Sequence, residues 1–285
     1  MVIDLLAGPF MEFAFMRRAL VAVVALALGA APLGVLLTLR RLSLVGDALS
    51  HAVLPGVALG FMFFGLSLTA LSIGGVLAGM LVVLAAALVS RHTRLAEDAS
   101  LAALYLVALA LGVMLISLHG SQIDLLHILF GNVLGVDRDG LLLVAGVASA
   151  TLLLLALMYR GLLIESFDPA FLAAGQGGRA WFQQLFLMLV VVNLVAAFQT
   201  LGTLMAVGLM MLPAISARLW HDTLAAQLLH SAGCAMLAGL AGLLLSYYAA
   251  LPSGPSIIVC AGLLYGGSLL LSPRGVLATL RRART

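Results

Sequence analysis

Arg40-Arg41-Leu42-Ser43-Leu44-Val45-Gly46-Asp47-Ala48-Leu49-Ser50-His51-Ala52-Val53-Leu54-Pro55-Gly56 sets a carboxylate and an imidazole four residues apart, at the start of a segment otherwise apolar enough to cross a bilayer. On an α-helix, residues i and i+4 lie one turn apart on the same face, so Asp47 and His51 are spaced to hold one ion between them. An ionisable side chain within a span costs at least about 2.5–3.5 kcal/mol on insertion scales, and by default it marks a functional site. Ser43 is placed to cap this helix, which then presents Asp47 and His51 about 6 and 12 Å along its axis. Pro55 has no N–H to offer the carbonyl of His51, so a kink is expected where the two ligands sit. A freed carbonyl at membrane depth is tolerated where it lines a cavity or ligates an ion.

The rest of the chain has the composition of a membrane protein. Of 285 residues, 64% are hydrophobic and 9% charged, with a mean hydropathy of +1.23, too little polar surface to coat a soluble globule. The net charge of +3 does not indicate a nucleic-acid partner, because all fourteen basic residues are arginines that punctuate apolar runs and read as topology signals. A P-loop needs Gly-Lys-Ser/Thr, and the chain has no lysine, so a conventional P-loop ATPase is excluded. Cys234 and Cys260 have neither the spacing of a zinc site nor that of a disulfide framework. No removable signal peptide is expected.

A span needs about 20 mainly apolar residues. Such runs occur at 19–39, 44–64, 68–90, 99–118, 140–159, 183–198, 204–219, 224–248 and 256–271. The sixth and seventh are short and are split only by Gln199-Thr200-Leu201-Gly202, so a tight or partly re-entrant hairpin is open and the expected count is eight or nine. The expected fold class is therefore an all-α polytopic membrane protein in one domain, 1–285. Counting arginines with Arg40 and Arg41 on the cytoplasmic side puts eleven inside and three (Arg17, Arg18 and Arg138) outside, with a cytoplasmic C-terminus. The segment from Asp4 to Phe15 is amphipathic and suits the interface.

Oxygen plus imidazole without thiolate suits first-row divalent ions such as Mn2+, Fe2+ or Zn2+. Two ligands do not close a site, but two copies of the chain on a two-fold axis would supply four, and two carboxylates would balance the ion's charge. Spacing alone leaves a second reading open: Asp47 pairs with Arg40 or Arg41, and His51 bonds a neighbouring helix. Asp124 and His127, at i and i+3, form either an outer gate or part of a capped interfacial helix. The stretch 165–178 reads as a short helix between Arg160 and Arg179, with Asp168 as N-cap, Pro169 at N1 and Gly175 as terminator. Phe167 and Phe171 would project from it into a partner's groove or rest on lipid.

The signature from Arg40 to Gly56 resembles that of the membrane permeases in the zinc, manganese and iron ABC importers. Leu129-Phe130-Gly131-Asn132, Ser166-Phe167-Asp168-Pro169 with its following glycines, and Gly202-Thr203-Leu204 through Leu212-Pro213-Ala214 to Arg218 are similar to that family's segments in the same order. The resemblance implies a homodimer around a central pathway in the bacterial plasma (inner) membrane. Its partners would be two cytoplasmic ATPase subunits, which hold the ATP, and an extracytoplasmic solute-binding protein. No cofactor is permanently bound; the cargo is Mn2+, Zn2+ or Fe2+. The permease itself is then not an enzyme, which accounts for the missing P-loop. Asp47 and His51 match the family's metal ligands, and Phe167, Asp168, Pro169, Phe171 and Gly175 fall in its ATPase-coupling helix. The rival expectation is a secondary cation transporter driven by an ion gradient, which needs a further mid-span carboxylate that the chain does not place.

Overall fold

The computed structural model describes residues 2–118, 133–167 and 178–278. Among them every regular element is helical: α1 (Val2–Glu12), α2 (Ala14–Leu39), α3 (Val45–Ala52), α4 (Leu54–Phe64), α5 (Leu68–His92), α6 (Glu97–Leu118), a 3-10 turn (Val133–Gly135), α7 (Arg138–Phe167), α8 (Gly178–Leu201), α9 (Thr203–Trp220), α10 (Leu224–Ala249) and α11 (Ser253–Leu271). Nine stretches of described helix are long and apolar enough to cross a membrane, with α3 and α4 together making one of them. The fold class expected from the sequence stands, and the nine candidate spans among the described residues agree with the higher of the two expected counts.

The helices share two ends, defined by contacts between residues far apart in sequence. At one end Arg218 Nη1 of α9 donates to the carbonyl of Thr38 in α2, at 2.9 Å. At the other, Ser72 of α5 bonds Gln199 of α8 at 2.9 Å, and Phe13 meets Tyr247 of α10 with ring centroids 5.9 Å apart. The first end also carries Arg40, Arg41, Arg91, Arg94, Arg160, Arg179 and Arg274, and is called the basic end below. Because Gln199 lies at the opposite end and Arg218 at the basic end, α9 crosses the full width. The pair α8–α9 is thus two complete crossings and not a re-entrant loop. Gly202 alone links them, at φ 92°, a backbone conformation a residue with a Cβ rarely adopts.

Arg17 sits at the opposite end for a local reason. The chain is extended at Phe13, which separates α1 from α2, and Arg17 Nη1 donates back to the carbonyl of Met11 at 3.0 Å. A cation there satisfies the open C-terminal carbonyls of α1 and opposes its negative dipole end.

The core is built around α2, which packs on α7, α9 and α10. Its most apolar stretch is 72% buried, against 22% for α6 and for α7, which lie at the periphery. Small residues permit the close crossings. A Cβ at Gly34 of α2 would overlap the Met210 carbonyl of α9, and one at Gly56 of α4 would overlap the Gly74 carbonyl of α5. Small residues at crossings suit association in lipid, where tails compete equally for apolar surface. Inside the bundle Asn193 of α8 donates to Thr151 of α7 at 2.6 Å and to the Leu189 carbonyl at 2.9 Å, so its amide group is satisfied away from water.

Candidate metal site at a helix break

The site begins where α2 stops. The N–H of Leu42 bonds the Leu37 carbonyl at 2.9 Å and that of Arg41 bonds the Thr38 carbonyl at 3.3 Å, with Arg41 at φ 60°. This is the paired-bond helix stop usually completed by glycine, here with arginine in the left-handed position. It turns the chain tightly enough for α3 to start at Val45. Ser43 does not cap α3, contrary to the expectation from sequence: the N-cap is Leu44, with no side-chain cap bond. The cause is the tight stop, which leaves a turn at Ser43 and Leu44 and brings the N–H of Val45 to the Leu42 carbonyl at 3.0 Å.

Asp47 occupies the first turn of α3 and His51 the last, so the carboxylate is near the positive end of the helix and the imidazole near the negative end. Asp47 Oδ1 and His51 Nε2 are 3.9 Å apart, with side chains 64% and 30% exposed respectively. Two ligands held at about 2.1 Å from a common ion and subtending 90–109° are about 3.0–3.4 Å apart, so a sub-ångström adjustment brings the pair onto one ion. In place of the alternative pairing with Arg40 or Arg41, Asp47 makes its ion-pair contact among the described residues with His51, while Arg40 stacks its guanidinium on Phe186, 4.4 Å from the ring centroid. Ser50, between Asp47 and His51, turns inward and donates to the Asp47 carbonyl at 2.7 Å.

Pro55 breaks the helix as expected. α3 ends at Ala52, Val53 is the junction, and Pro55 falls in the first turn of α4, where a missing N–H is harmless. The inner face of the broken helix is tightly held. Leu49 and Val53 are fully buried; Gly46 admits Met210 of α9, whose Cε would lie 2.6 Å from a Cβ there; and Gly112 of α6 approaches the Pro55 nitrogen, 3.0 Å from where its own Cβ would be. The outer face is more open, with Asp47, Leu59 and Phe63 exposed and His51 and Pro55 partly buried. Asp47, His51, Pro55, Leu59 and Phe63 recur every four residues along it, and the last three line a groove of about 860 Å³ shared with α5 and α6. Among the described residues no three His, Cys, Asp or Glu side chains gather to hold a metal, so this stripe of one chain presents one carboxylate and one imidazole.

Of the other residues singled out from sequence, Phe167 is the last residue of α7, which continues unbroken from Arg138. Asp168, Pro169, Phe171 and Gly175 lie outside the described residues, as do Asp124 and His127. Sequence reasoning missed His221 and His230. The two look like separate interfacial histidines, but the turn between α9 and α10 brings their ring nitrogens to 3.1 Å. Nine residues across a helix–helix turn carry no periodic signal that would have paired them.

Comparison with known proteins agrees with this architecture. Residues 12–272 match the ABC 3 transport family. The chain is 34% identical over 276 residues to the manganese transport system membrane protein MntC of Halalkalibacterium halodurans, covering 96% of this chain and 93% of that one. It is 34% identical to the manganese import system permease protein ScaB of Streptococcus parasanguinis, covering 92% of each. It also superposes on a chain from the structure of PsaBC from Streptococcus pneumoniae in complex with Fab, with a TM-score of 0.85 and 31% identity over 99% of this chain and 100% of that one.

Proposed function

The chain belongs to the ABC 3 transport family, as a membrane permease of the metal-importer type, and from that premise we propose that it carries Mn2+ inward through a pathway lined by Asp47 and His51. The observation that carries this reading is the Asp47–His51 pair itself, 3.9 Å apart on an open stripe beside a helix break. A carboxylate and an imidazole without thiolate accept Mn2+, Fe2+ and Zn2+ alike. Manganese is preferred because the MntC and ScaB relatives are named for it.

The open stripe calls for a second copy. Two chains meeting along it would bring two carboxylates and two imidazoles to one ion and cancel its double charge where the dielectric is low. The basic end faces the cytoplasm of a bacterial cell, since short loops there carry the arginine excess, and the C-terminus lies on that side. Two ATPase subunits bind at that end. The segment after α7 couples them to the membrane helices through Phe167, Asp168, Pro169, Phe171 and Gly175. A solute-binding protein delivers metal at the opposite end, where Asp124 and His127 act as a gate. The whole chain, 1–285, works as one permease domain. The break at Val53 lets α3 tilt against α4 as ATP binding on the partner favours one side's opening over the other.

The test is uptake in liposomes carrying the chain with its ATPase, binding protein and ATP. ATP-dependent Mn2+ accumulation that is lost in Asp47→Ala and in His51→Ala, with both variants still assembling with the ATPase, is the expected outcome. Normal accumulation in both variants sinks the site. Uptake by the chain alone, driven by a proton gradient, replaces the importer by a secondary transporter.

A further inference from the structure

We propose that His221 and His230 form a second divalent-metal site at the basic end, taking a borderline ion such as Zn2+ in preference to Mn2+. The facing nitrogens, His221 Nε2 and His230 Nδ1, are 3.1 Å apart, within the range of about 2.9–3.4 Å expected for two imidazoles on one ion at about 2.0–2.1 Å. The same 3.1 Å is a hydrogen bond between the two rings, so a metal ion replaces the proton they share with little change in separation, whereas the Asp47–His51 pair must close up to bind.

The fold holds the backbone of His221 and the ring of His230. His221 is the C-cap of α9, its N–H bonded to the Ala217 carbonyl at 3.1 Å. Its own carbonyl accepts from Gln227 Nε2 at 2.8 Å and from Arg274 Nη1 at 3.3 Å. His230 stands on the second turn of α10 and stacks on Trp220, with centroids 6.2 Å apart and planes 25° apart. A cation here meets the negative end of the α9 dipole. The nearby guanidinium of Arg274 is offset by its contact with Asp222. Two protein ligands leave the remaining positions to water. Two neutral imidazoles without a carboxylate favour Zn2+, whereas Mn2+ prefers oxygen, so the site differs in kind from the transport pair.

Zn2+ bound there would tie α9 to α10. Because Arg218 of α9 holds the carbonyl of Thr38, nine residues before Asp47, the turn is mechanically connected to the start of the transport helix. Binding itself does not depend on the importer reading.

The experiment uses the purified chain carrying Asp47→Ala and His51→Ala, which silences the transport pair, dialysed against Zn2+ or Mn2+. The expected result is one Zn2+ retained per chain with little Mn2+, and a loss of Zn2+ affinity of tenfold or more when His221→Gln or His230→Gln is added. Zn2+ binding that is absent, or unchanged by both added substitutions, overturns the proposal. An independent check needs no substitution: crystals of the chain soaked in Zn2+ should show an anomalous peak between the two rings, and a map without it also overturns the site. Failure of Mn2+ uptake in liposomes would leave both readouts unaffected.

Discussion

Gly56→Ala and Gly146→Ala are chemically the same change, yet the structure gives them opposite signs. At Gly56 the new Cβ would overlap the Gly74 carbonyl and lie 2.7 Å from the Ala78 Cβ. The main obstruction is backbone, which cannot swing aside, so α4 must back away from α5. Overpacking of this kind costs about 1–3 kcal/mol, against a gain of about 0.5–1 kcal/mol from replacing a helical glycine. The net expectation is a loss of about 1–2 kcal/mol. At Gly146 of α7 nothing lies within 4 Å of the new Cβ, so only the gain of about 0.5–1 kcal/mol remains. Equilibrium unfolding in mixed detergent micelles should therefore separate the two variants by about 1.5–3 kcal/mol. Adding Gly74→Ala to Gly56→Ala should cost less than the sum of the singles, because the first Cβ has already opened the crossing. Since Gly56 directly follows Pro55, Mn2+ uptake should fall with stability in Gly56→Ala and not in Gly146→Ala. A Gly56→Ala protein as stable as Gly146→Ala would refute the close crossing of α4 on α5.

Other outcomes follow from single contacts. Arg41→Gly should stabilise the chain by about 1 kcal/mol, because Arg41 holds a left-handed conformation that costs a non-glycine residue about 1–2 kcal/mol; a drop in unfolding midpoint would contradict the helix stop described. A double-mutant cycle on Asn193→Val and Thr151→Val should give a coupling of about 0.6 kcal/mol and below about 1.7 kcal/mol, as for hydrogen bonds between membrane helices. Zero coupling would mean the 2.6 Å contact adds nothing beyond packing. Phe171→Asp should release the ATPase from the detergent-purified complex, and undiminished co-purification would favour a surface helix resting on lipid.

Composition and periodicity were enough for the class of this protein. Runs of about 20 apolar residues have few alternatives to a spanning helix, because lipid offers the backbone no hydrogen-bond partner; hence the apolar runs were legible as candidate spans, while the short pair around Gly202 left the count at eight or nine. The Asp47–His51 pair and the break before Pro55 were legible too, since both are local: one is a helical repeat of four and the other a missing N–H. What sequence left open was decided by contacts between distant residues. Whether α9 crosses the bundle depended on Arg218 reaching Thr38 and Gln199 reaching Ser72. The Ser43 cap failed because the stop at the end of α2 uses the intervening residues as a turn. That Asp47 turns to an open stripe, with Arg40 drawn away to Phe186, depended on which helices cover α3. The pairing of His221 with His230 depended on the angle at which α9 turns into α10. Local rules act over one or two helical turns, whereas the meeting of side chains on different helices is set by close packing of the whole bundle. Residue spacing along the chain does not encode it.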